Sequence, residues 1–238
     1  MPLTLTPALR EAIAAHALAE HPKECCGLIV AGEYIACRNN AKDPRVDFRI
    51  ADRTYAKHLE AGVEAVVHSH TNGNPAPTRA DMAGQLATDV PWVPVMTDGE
   101  TVSDPVVWGA DTPTPDLIGR PFRHTVTDCY ALIRDYFAKT HGLALPEFPR
   151  DDAWWAAGEN LYTENFASAG FVEVPRAEMR DSDVLLMQIR SPVPNHAGVV
   201  VKGGGLVLHH LQNRLSRREP LGPWLRNVTH VLRHKDLV

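Results

Sequence analysis

The spacing of apolar residues along the first hundred positions changes repeatedly between that of helices and that of strands. After Thr6 and Pro7, a favourable N-cap and first helical residue, apolar side chains recur at positions 9, 13, 17 and 18. The segments that follow are strands at about 25–30 and 33–38, a helix over 52–61 ended by Gly62, a strand over 63–70, a helix over 78–88 and a strand over 92–96. This alternation predicts an α+β domain.

The chain changes character between residues 98 and 123, where prolines accumulate, as in the segment 111–115. Such composition favours an extended connector over a packed element. We therefore expect two domains, residues 1–100 and 124–238, joined by a proline-rich linker over 101–123.

Beyond the linker, the pattern predicts one helix and one strand hairpin. Apolar residues at helical spacing over 130–137 predict a helix that begins at or near Cys129. Two apolar runs, 195–201 and 206–210, surround the glycine-rich segment 202–205 and fit a pair of strands joined by a turn. The second domain is therefore also expected to be α+β.

Composition and charge exclude several classes of protein. A chain of 238 residues with 44% hydrophobic residues is long enough for two cores. The net charge of -5 and the lack of a basic stripe argue against nucleic acid as a partner. The four cysteines show no CxxC pair, so neither a disulfide framework nor a structural zinc cluster is indicated. Without a signal-like N-terminus or a run of about 18 apolar residues, we expect a soluble, unexported chain with no membrane span.

Three candidate metal ligands lie around the end of the strand predicted over 63–70. His68 and His70 are two residues apart, and such residues point to the same face of a strand. The turn-rich segment 72–77 reverses the chain, and the helix after it can return Asp81 to the strand end. Two imidazoles and one carboxylate leave an open position on a zinc ion, which lowers the pKa of a bound water to about 7.

Two further residues complete this candidate site. A zinc-activated water needs a base, and Glu24, in the apolar strand predicted at about 25–30, is a candidate. Thr78 stands three residues before Asp81, which is also the pattern of a capped helix N-terminus. Taken alone, either the His-x-His pair or this cap pattern has an ordinary structural interpretation.

Taken together and in order, these residues resemble the signature of the JAMM (MPN/Mov34) metallopeptidases. That signature is a Glu, then His-x-His, seven residues, Ser or Thr, two residues and Asp; here it falls on Glu24, His68, His70, Thr78 and Asp81. The resemblance covers roughly the first 100 residues. It implies a mixed sheet with flanking helices, Zn2+ on the two histidines and Asp81, and Glu24 as general acid/base. It also implies that Thr78 steadies the tetrahedral intermediate.

A second candidate centre lies in the predicted second domain. Cys129 at a helix N-terminus is favoured as thiolate by the partial positive charge there, and thiolate is the form that attacks carbonyls. The predicted hairpin places one histidine from each strand on the same side. One of them can serve as base to the thiol while the other orients its ring.

This half resembles the NlpC/P60 cysteine peptidases. Their pattern of Asp-Cys at a helix start, His-x-Gly on a strand and a polar residue one hairpin later matches Asp128 and Cys129, His196 to Gly198, and His209. The resemblance implies a papain-like domain, in which a helix carrying the cysteine packs on an antiparallel sheet. It also implies that Cys129, His196 and His209 are catalytic, with His210 as an alternative third residue.

The order of the two domains within 238 residues is similar to that of tail assembly proteins of lambda-like long-tailed phages. This resemblance implies a protein of the virion tail tip, assembled in the host cytoplasm and acting at the host cell envelope. It implies other tail-tip proteins and the stem peptides of peptidoglycan as partners, and hydrolysis of amide bonds in those stems as the activity.

Two other interpretations stay open. The chain could be a non-catalytic tail-tip plug or assembly factor that retains two peptidase folds, or an isopeptidase that processes a tail protein. A bacterial cell-wall remodelling enzyme is disfavoured by the missing export signal.

Overall fold

The computed structural model describes residues 2–238, and it divides the chain into two compact units between Pro113 and Thr114. Each unit combines one sheet with helices, which confirms the predicted α+β class. The longest helix has 14 residues. Within the described part of the chain, no helix has the length and hydropathy to cross a membrane.

The first unit contains a four-stranded mixed sheet. Its elements, in chain order, are α1 (Pro7–Glu20), β1 (Cys26–Val30), β2 (Glu33–Cys37), α2 (Asp52–Leu59), β3 (Val63–His70), α3 (Arg79–Thr88) and β4 (Trp92–Met96). The strand order is β2-β1-β3-β4, and only the pair β3–β4 is parallel. The parallel pair needs a crossover between its strands, and α3 supplies it.

The core of the first unit forms where α1 packs on this sheet. The helix begins as predicted: the hydroxyl of Thr6 accepts a hydrogen bond of 3.3 Å from the backbone N–H of Leu9. Leu9, Ile13 and Ala17 are buried and lie in one apolar cluster with residues of β1, β3 and β4. Leu18, which the apolar spacing assigned to the same stripe, remains 38% exposed, because it stands at the edge of the face that Ala17 buries.

The second unit contains a six-stranded antiparallel sheet. Its elements, in chain order, are α4 (Cys129–His141), α5 (Leu161–Asn165), β5 (Phe171–Glu173), β6 (Val184–Met187), β7 (His196–Val201), β8 (Leu206–His209), β9 (Arg217–Pro220) and β10 (Val228–His234). The strand order is β5-β10-β6-β7-β8-β9. The predicted helix at Cys129 and the predicted hairpin, here β7 and β8, are both present.

The core of the second unit lies between α4 and the sheet. Leu132, Ile133 and Phe137 on α4 are almost fully buried and pack with Ala197 and Val199 of β7. Burying a side chain of this size contributes about 1.5–3 kcal/mol. This packing sets α4, which begins with Cys129, against β7, the strand that begins with His196.

The proline-rich segment predicted as a linker pairs with both units. On its N-terminal side, Trp108 exchanges backbone hydrogen bonds of 2.9 and 3.0 Å with Trp92 at the start of β4. On its C-terminal side, the N–H of Gly119 donates to the carbonyl of Ser216, and Pro121 pairs with Leu215. The part of this segment up to Pro113 therefore belongs to the first unit, and the part from Thr114 onwards belongs to the second.

Candidate functional site

Three potential metal ligands of the first unit converge at the end of β3. The Nε2 atoms of His68 and His70 are 2.9 Å apart. The carboxylate of Asp81 reaches both rings, with Oδ1 3.3 Å from Nε2 of His68 and Oδ2 3.2 Å from Nε2 of His70. All three side chains are buried. The alternation of side chains along β3 and the return of α3 thus bring together the three residues that the sequence indicated.

Asp81 is fixed at this position by the first turn of α3. The backbone N–H and the hydroxyl of Thr78 donate to Oδ2 of Asp81 at 2.7 and 2.8 Å, and the N–H of Asp81 donates to the hydroxyl of Thr78 at 3.1 Å. This is a capping box. The helix cap and the ligand cluster therefore coexist, because one carboxylate oxygen takes part in both.

Each imidazole is held by different contacts. Nδ1 of His70 lies 2.7 Å from the carbonyl oxygen of Asn74, so Nδ1 carries a proton, and in the neutral ring the lone pair is on Nε2. His68 is stacked on Phe48, with ring centroids 4.5 Å apart, and meets the edge of Trp92 at 5.5 Å. Its Nδ1 is buried without a hydrogen-bond partner in the described part of the chain.

This donor set fits a metal ion. The ligand atoms of His68, His70 and Asp81 lie within 4.8 Å of one another. Burial raises the pKa of Asp81, but the adjacent imidazoles of His68 and His70 outweigh it and hold that pKa well below its usual range. The group therefore offers one charged oxygen and two imidazole nitrogens, a set that binds divalent transition metals.

Glu24 lies beside this cluster, two residues before β1 rather than inside a strand. Its backbone is fixed on both sides: its N–H donates to the carbonyl of Pro44 at 2.6 Å, and its carbonyl accepts from the side-chain amide of Asn39 at 2.9 Å. Burial raises the pKa of the Glu24 carboxyl to about 7, and the nearby charge of His70 opposes the rise. A carboxyl of this kind can hold or release a proton near neutral pH.

In the second unit, Cys129 is the first residue of α4. The side chain of Asp128 caps the helix by accepting a hydrogen bond of 2.9 Å from the N–H of Ala131. The sulfur of Cys129 lies 3.1 Å from the hydroxyl of Tyr162 on α5. Sequence reasoning missed Tyr162, since a tyrosine on a five-residue helix belongs to no motif.

The protonation of Cys129 differs from the sequence prediction. Burial, followed by the negative charge of Asp128, raises the pKa of the thiol to about 11. The prediction of a thiolate favoured by the helix terminus is therefore wrong for the free protein. The terminus of a helix contributes about 0.3–1 kcal/mol, up to about 2 kcal/mol, and burial of the charged form costs more here.

Two histidines of the hairpin contact each other, and one of them, His196, lines the same cavity as Cys129. Nε2 of His196 on β7 lies 3.1 Å from Nδ1 of His209 on β8, and both rings are buried. Burial lowers the pKa of His196 to about 3, so its imidazole is neutral near pH 7. His210 contacts a different group: its Nε2 donates to the carbonyl of Arg214 at 3.0 Å. Of the two candidate third residues, His209 is the one whose ring contacts His196.

A cavity of about 480 Å³ opens beside these residues. Cys129, Tyr162 and His196 line it, together with several aromatic side chains that include Trp154 and Trp155. Trp154 is 5% exposed and is therefore almost fully buried. A thiol and a neutral imidazole thus face the same largely apolar space, which has room for part of a peptide.

One buried ion pair supports the helix terminus that carries the thiol. Both Nε and Nη2 of Arg150 donate to Oδ2 of Asp128, at 3.0 and 2.8 Å, and Nη1 donates to Glu147 at 2.7 Å. The pKa of Asp128 is lowered to about 2 because the charge of Arg150 outweighs the effect of burial. Sequence reasoning missed this pair, since its members are 22 positions apart and no pattern in the sequence links them.

The raised thiol pKa gives a first testable expectation. The rate of alkylation of Cys129 by iodoacetamide is expected to rise about tenfold per pH unit between about pH 7 and pH 10, because only the thiolate reacts. Mass spectrometry of the peptide that contains Cys129 measures this rate separately from the three buried cysteines. A plateau throughout that range would instead require a thiolate–imidazolium pair already formed at neutral pH.

Comparison with known families supports the family resemblance of each half of the chain. The family of prokaryotic homologs of the JAB domain matches residues 6–106, and the NlpC/P60 family matches residues 103–233. A protein of known structure from Desulfitobacterium hafniense is 21% identical over 42% of this chain and 76% of its own, with a TM-score of 0.33. The family assignment comes from the sequence relatives.

Two relatives match along most of their length. The tail tip assembly protein K of Escherichia phage N15 is 34% identical over 238 residues, which covers 95% of this chain and 94% of the relative. The tail tip assembly protein K of Escherichia phage lambda is 38% identical over 178 residues, 74% of this chain and 84% of the relative. These matches confirm the resemblance found in the sequence. The chain belongs to the family of phage tail tip assembly proteins K, in which a JAB domain precedes an NlpC/P60 domain.

Proposed function

We propose that this chain is a peptide hydrolase of the phage tail tip, and that its cysteine centre cleaves amide bonds in the stem peptides of peptidoglycan. One observation carries the proposal: Cys129 and His196 line the same cavity, and His196 is in turn held by His209. A nucleophile, a base and a group that orients the base are the three parts of a covalent hydrolase.

The first half of the reaction is acyl transfer to the thiol. As the substrate carbonyl approaches, the proton of the Cys129 thiol passes to Nδ1 of His196, since Nε2 of that ring is occupied by His209. The sulfur attacks the carbonyl carbon, and the partial positive charge at the start of α4 stabilises the oxyanion. The amide C–N bond then breaks, and His196 returns the proton to the leaving amine.

The second half is hydrolysis of the thioester. His196 takes a proton from water, and the resulting hydroxide attacks the thioester carbon. The C–S bond breaks, the acid is released, and the proton returns to the thiol. Because thiol and imidazole both start neutral, the charge separation exists only while substrate is present.

The resemblance to the NlpC/P60 family indicates which amide bond the cysteine centre cleaves. NlpC/P60 enzymes generally favour the amide between γ-D-glutamyl and a diamino acid, and we propose this bond as the substrate of the cysteine centre. The site would act at the host envelope after assembly of the tail in the host cytoplasm, in contact with other tail-tip proteins.

We further propose a zinc centre in the first unit, held by His68, His70 and Asp81. When bound, Zn2+ would supply a Lewis acid that polarises a carbonyl and lowers the pKa of water. The other roles belong to side chains and backbone groups of the protein. Thr78 orients Asp81, and the carbonyl of Asn74 fixes the tautomer of His70. The carboxyl of Glu24 holds and delivers the proton. The substrate we propose is an isopeptide-type amide, in a peptidoglycan cross-link or a tail protein.

Alkylation tests the cysteine centre directly. Protein treated with iodoacetamide until Cys129 is fully modified is expected to lose cleavage of a defined muropeptide, in proportion to the fraction of that cysteine modified. Muropeptide added beforehand is expected to slow the modification, because substrate occupies the same cavity. Full cleavage by protein whose Cys129 is completely alkylated would remove this residue from the mechanism.

A further inference from the structure

A carboxylate outside the predicted catalytic residues lies behind His209. Oε2 of Glu219, on β9, is 3.4 Å from Nε2 of His209. The same oxygen accepts a hydrogen bond of 2.8 Å from the indole N–H of Trp224, and the other carboxylate oxygen pairs with Arg217. The side chain of Glu219 is 22% exposed, so this position is neither fully buried nor free in solvent.

These contacts determine which ring nitrogens carry protons. An ionised carboxylate only accepts hydrogen bonds, so its position 3.4 Å from Nε2 of His209 favours the tautomer with the proton on that nitrogen. A neutral imidazole has one such proton, and Nδ1 of His209 is then a bare acceptor. The N–H at this contact therefore belongs to Nε2 of His196, 3.1 Å away. Nδ1 of His196 is left with the lone pair.

We infer that Glu219 is a positioning residue of the cysteine centre, which sets the tautomers of His209 and His196 so that His196 presents a basic nitrogen to Cys129. This inference rests on the proposed function of that centre. The series runs from the carboxylate through two imidazoles, the second of which lines the same cavity as the thiol, and it crosses three neighbouring strands, β9, β8 and β7. Glu219 touches neither substrate nor sulfur.

The charge of Glu219 also acts when the thiol proton arrives. His196 then becomes an imidazolium, and a carboxylate at the far end of the series stabilises that charge. The other groups around His209 are His196 on β7, the neighbouring His210, Arg217 on β9 and the edge of Trp224, whose ring centroid is 4.5 Å away. None of these four residues carries a negative charge, so the negative charge next to His209 comes from Glu219.

Two substitutions of Glu219 separate its effect on the tautomer of His209 from the effect of its negative charge. Glu219→Leu removes the acceptor, so His209 no longer has a preferred tautomer. Glu219→Gln removes the charge, while the indole N–H of Trp224 still favours an oxygen at the position facing His209. We expect kcat for muropeptide cleavage to fall about tenfold or more in Glu219→Leu and less in Glu219→Gln, with KM nearly unchanged, because no substrate contact is lost.

The decisive readout does not need substrate. Ring nitrogen NMR of ¹⁵N-histidine-labelled full-length protein distinguishes protonated from bare nitrogens. In the wild-type chain and in Glu219→Gln, Nε2 should be protonated on both His196 and His209; in Glu219→Leu, both rings should show mixed tautomers. Glu173→Leu, at an exposed site on β5 of the same sheet, is the matched control and should resemble the wild type.

The two hypotheses fail in different ways. If the wild-type chain leaves muropeptide intact, the proposed function fails, and the NMR spectra still decide whether Glu219 sets the tautomers. If the wild-type chain cleaves muropeptide, but Glu219→Leu keeps both its tautomers and its kcat, the role of Glu219 is overturned. Loss of kcat with unchanged tautomers in Glu219→Leu would also overturn it, since the effect would then be structural.

Discussion

Replacing Cys129 with serine is expected to lower the rate of muropeptide hydrolysis on the order of 10³-fold or more. The hydroxyl has almost the shape of the thiol but is a far weaker nucleophile without a strong base. A serine hydroxyl is much less acidic than a thiol, so transfer of its proton to the neutral imidazole of His196 is less favourable than transfer of the thiol proton. The initial rate of product formation, measured by liquid chromatography and mass spectrometry, reports the loss.

The matched control is Cys37→Ser, at a buried cysteine in the first unit. Its thiol donates a hydrogen bond of 3.6 Å to the carbonyl of Ile35, and because this residue lies in the other unit, the cysteine centre should retain its rate. Circular dichroism of both variants tests whether the folds are retained. A Cys129→Ser protein that is folded and cleaves at the wild-type rate would show that the thiol is not the nucleophile.

Replacing His70 with alanine is expected to lower the zinc bound by the first unit to well below one ion per chain. Three protein ligands are the number that a catalytic zinc site ordinarily has, and the remaining pair, His68 and Asp81, would hold the ion weakly. In the wild-type chain, free zinc at about 100 times its dissociation constant should stabilise the folded state by about 2.7 kcal/mol. Thermal unfolding with and without zinc, together with elemental analysis, measures both effects.

Two further variants sharpen this experiment. Asp81→Asn keeps an oxygen that can accept from Thr78 and thus retains the helix cap, but it loses the charge that faces the two histidines. It should bind less zinc without losing much stability in metal-free protein. His58→Ala, on α2, removes a histidine outside the cluster and should bind zinc normally. One zinc per chain in His70→Ala would contradict the site.

The parts of this structure that depend on local sequence could be predicted. The cap at Thr6, the position of His68 and His70 on one face of β3, and the capping box between Thr78 and Asp81 follow from spacings of two or three residues. Backbone geometry alone dictates such spacings.

What could not be predicted depends on tertiary contacts. Tyr162 approaches Cys129 across 33 positions of sequence, and Arg150 reaches Asp128 across 22. No periodicity encodes these contacts. The thiol pKa shows the same limit, since the effect of the helix terminus can be anticipated from the sequence, whereas the burial that outweighs it cannot.

The most direct test of the account is cleavage of a muropeptide that contains one γ-D-glutamyl–diamino acid bond, by the full-length chain, with and without excess zinc chelator. We predict two fragments whose summed mass exceeds that of the substrate by one water, formed at the same rate in both conditions, because the cysteine centre needs no metal. Intact substrate in both samples, or cleavage that the chelator abolishes, would contradict the assignment of cell-wall hydrolysis to Cys129.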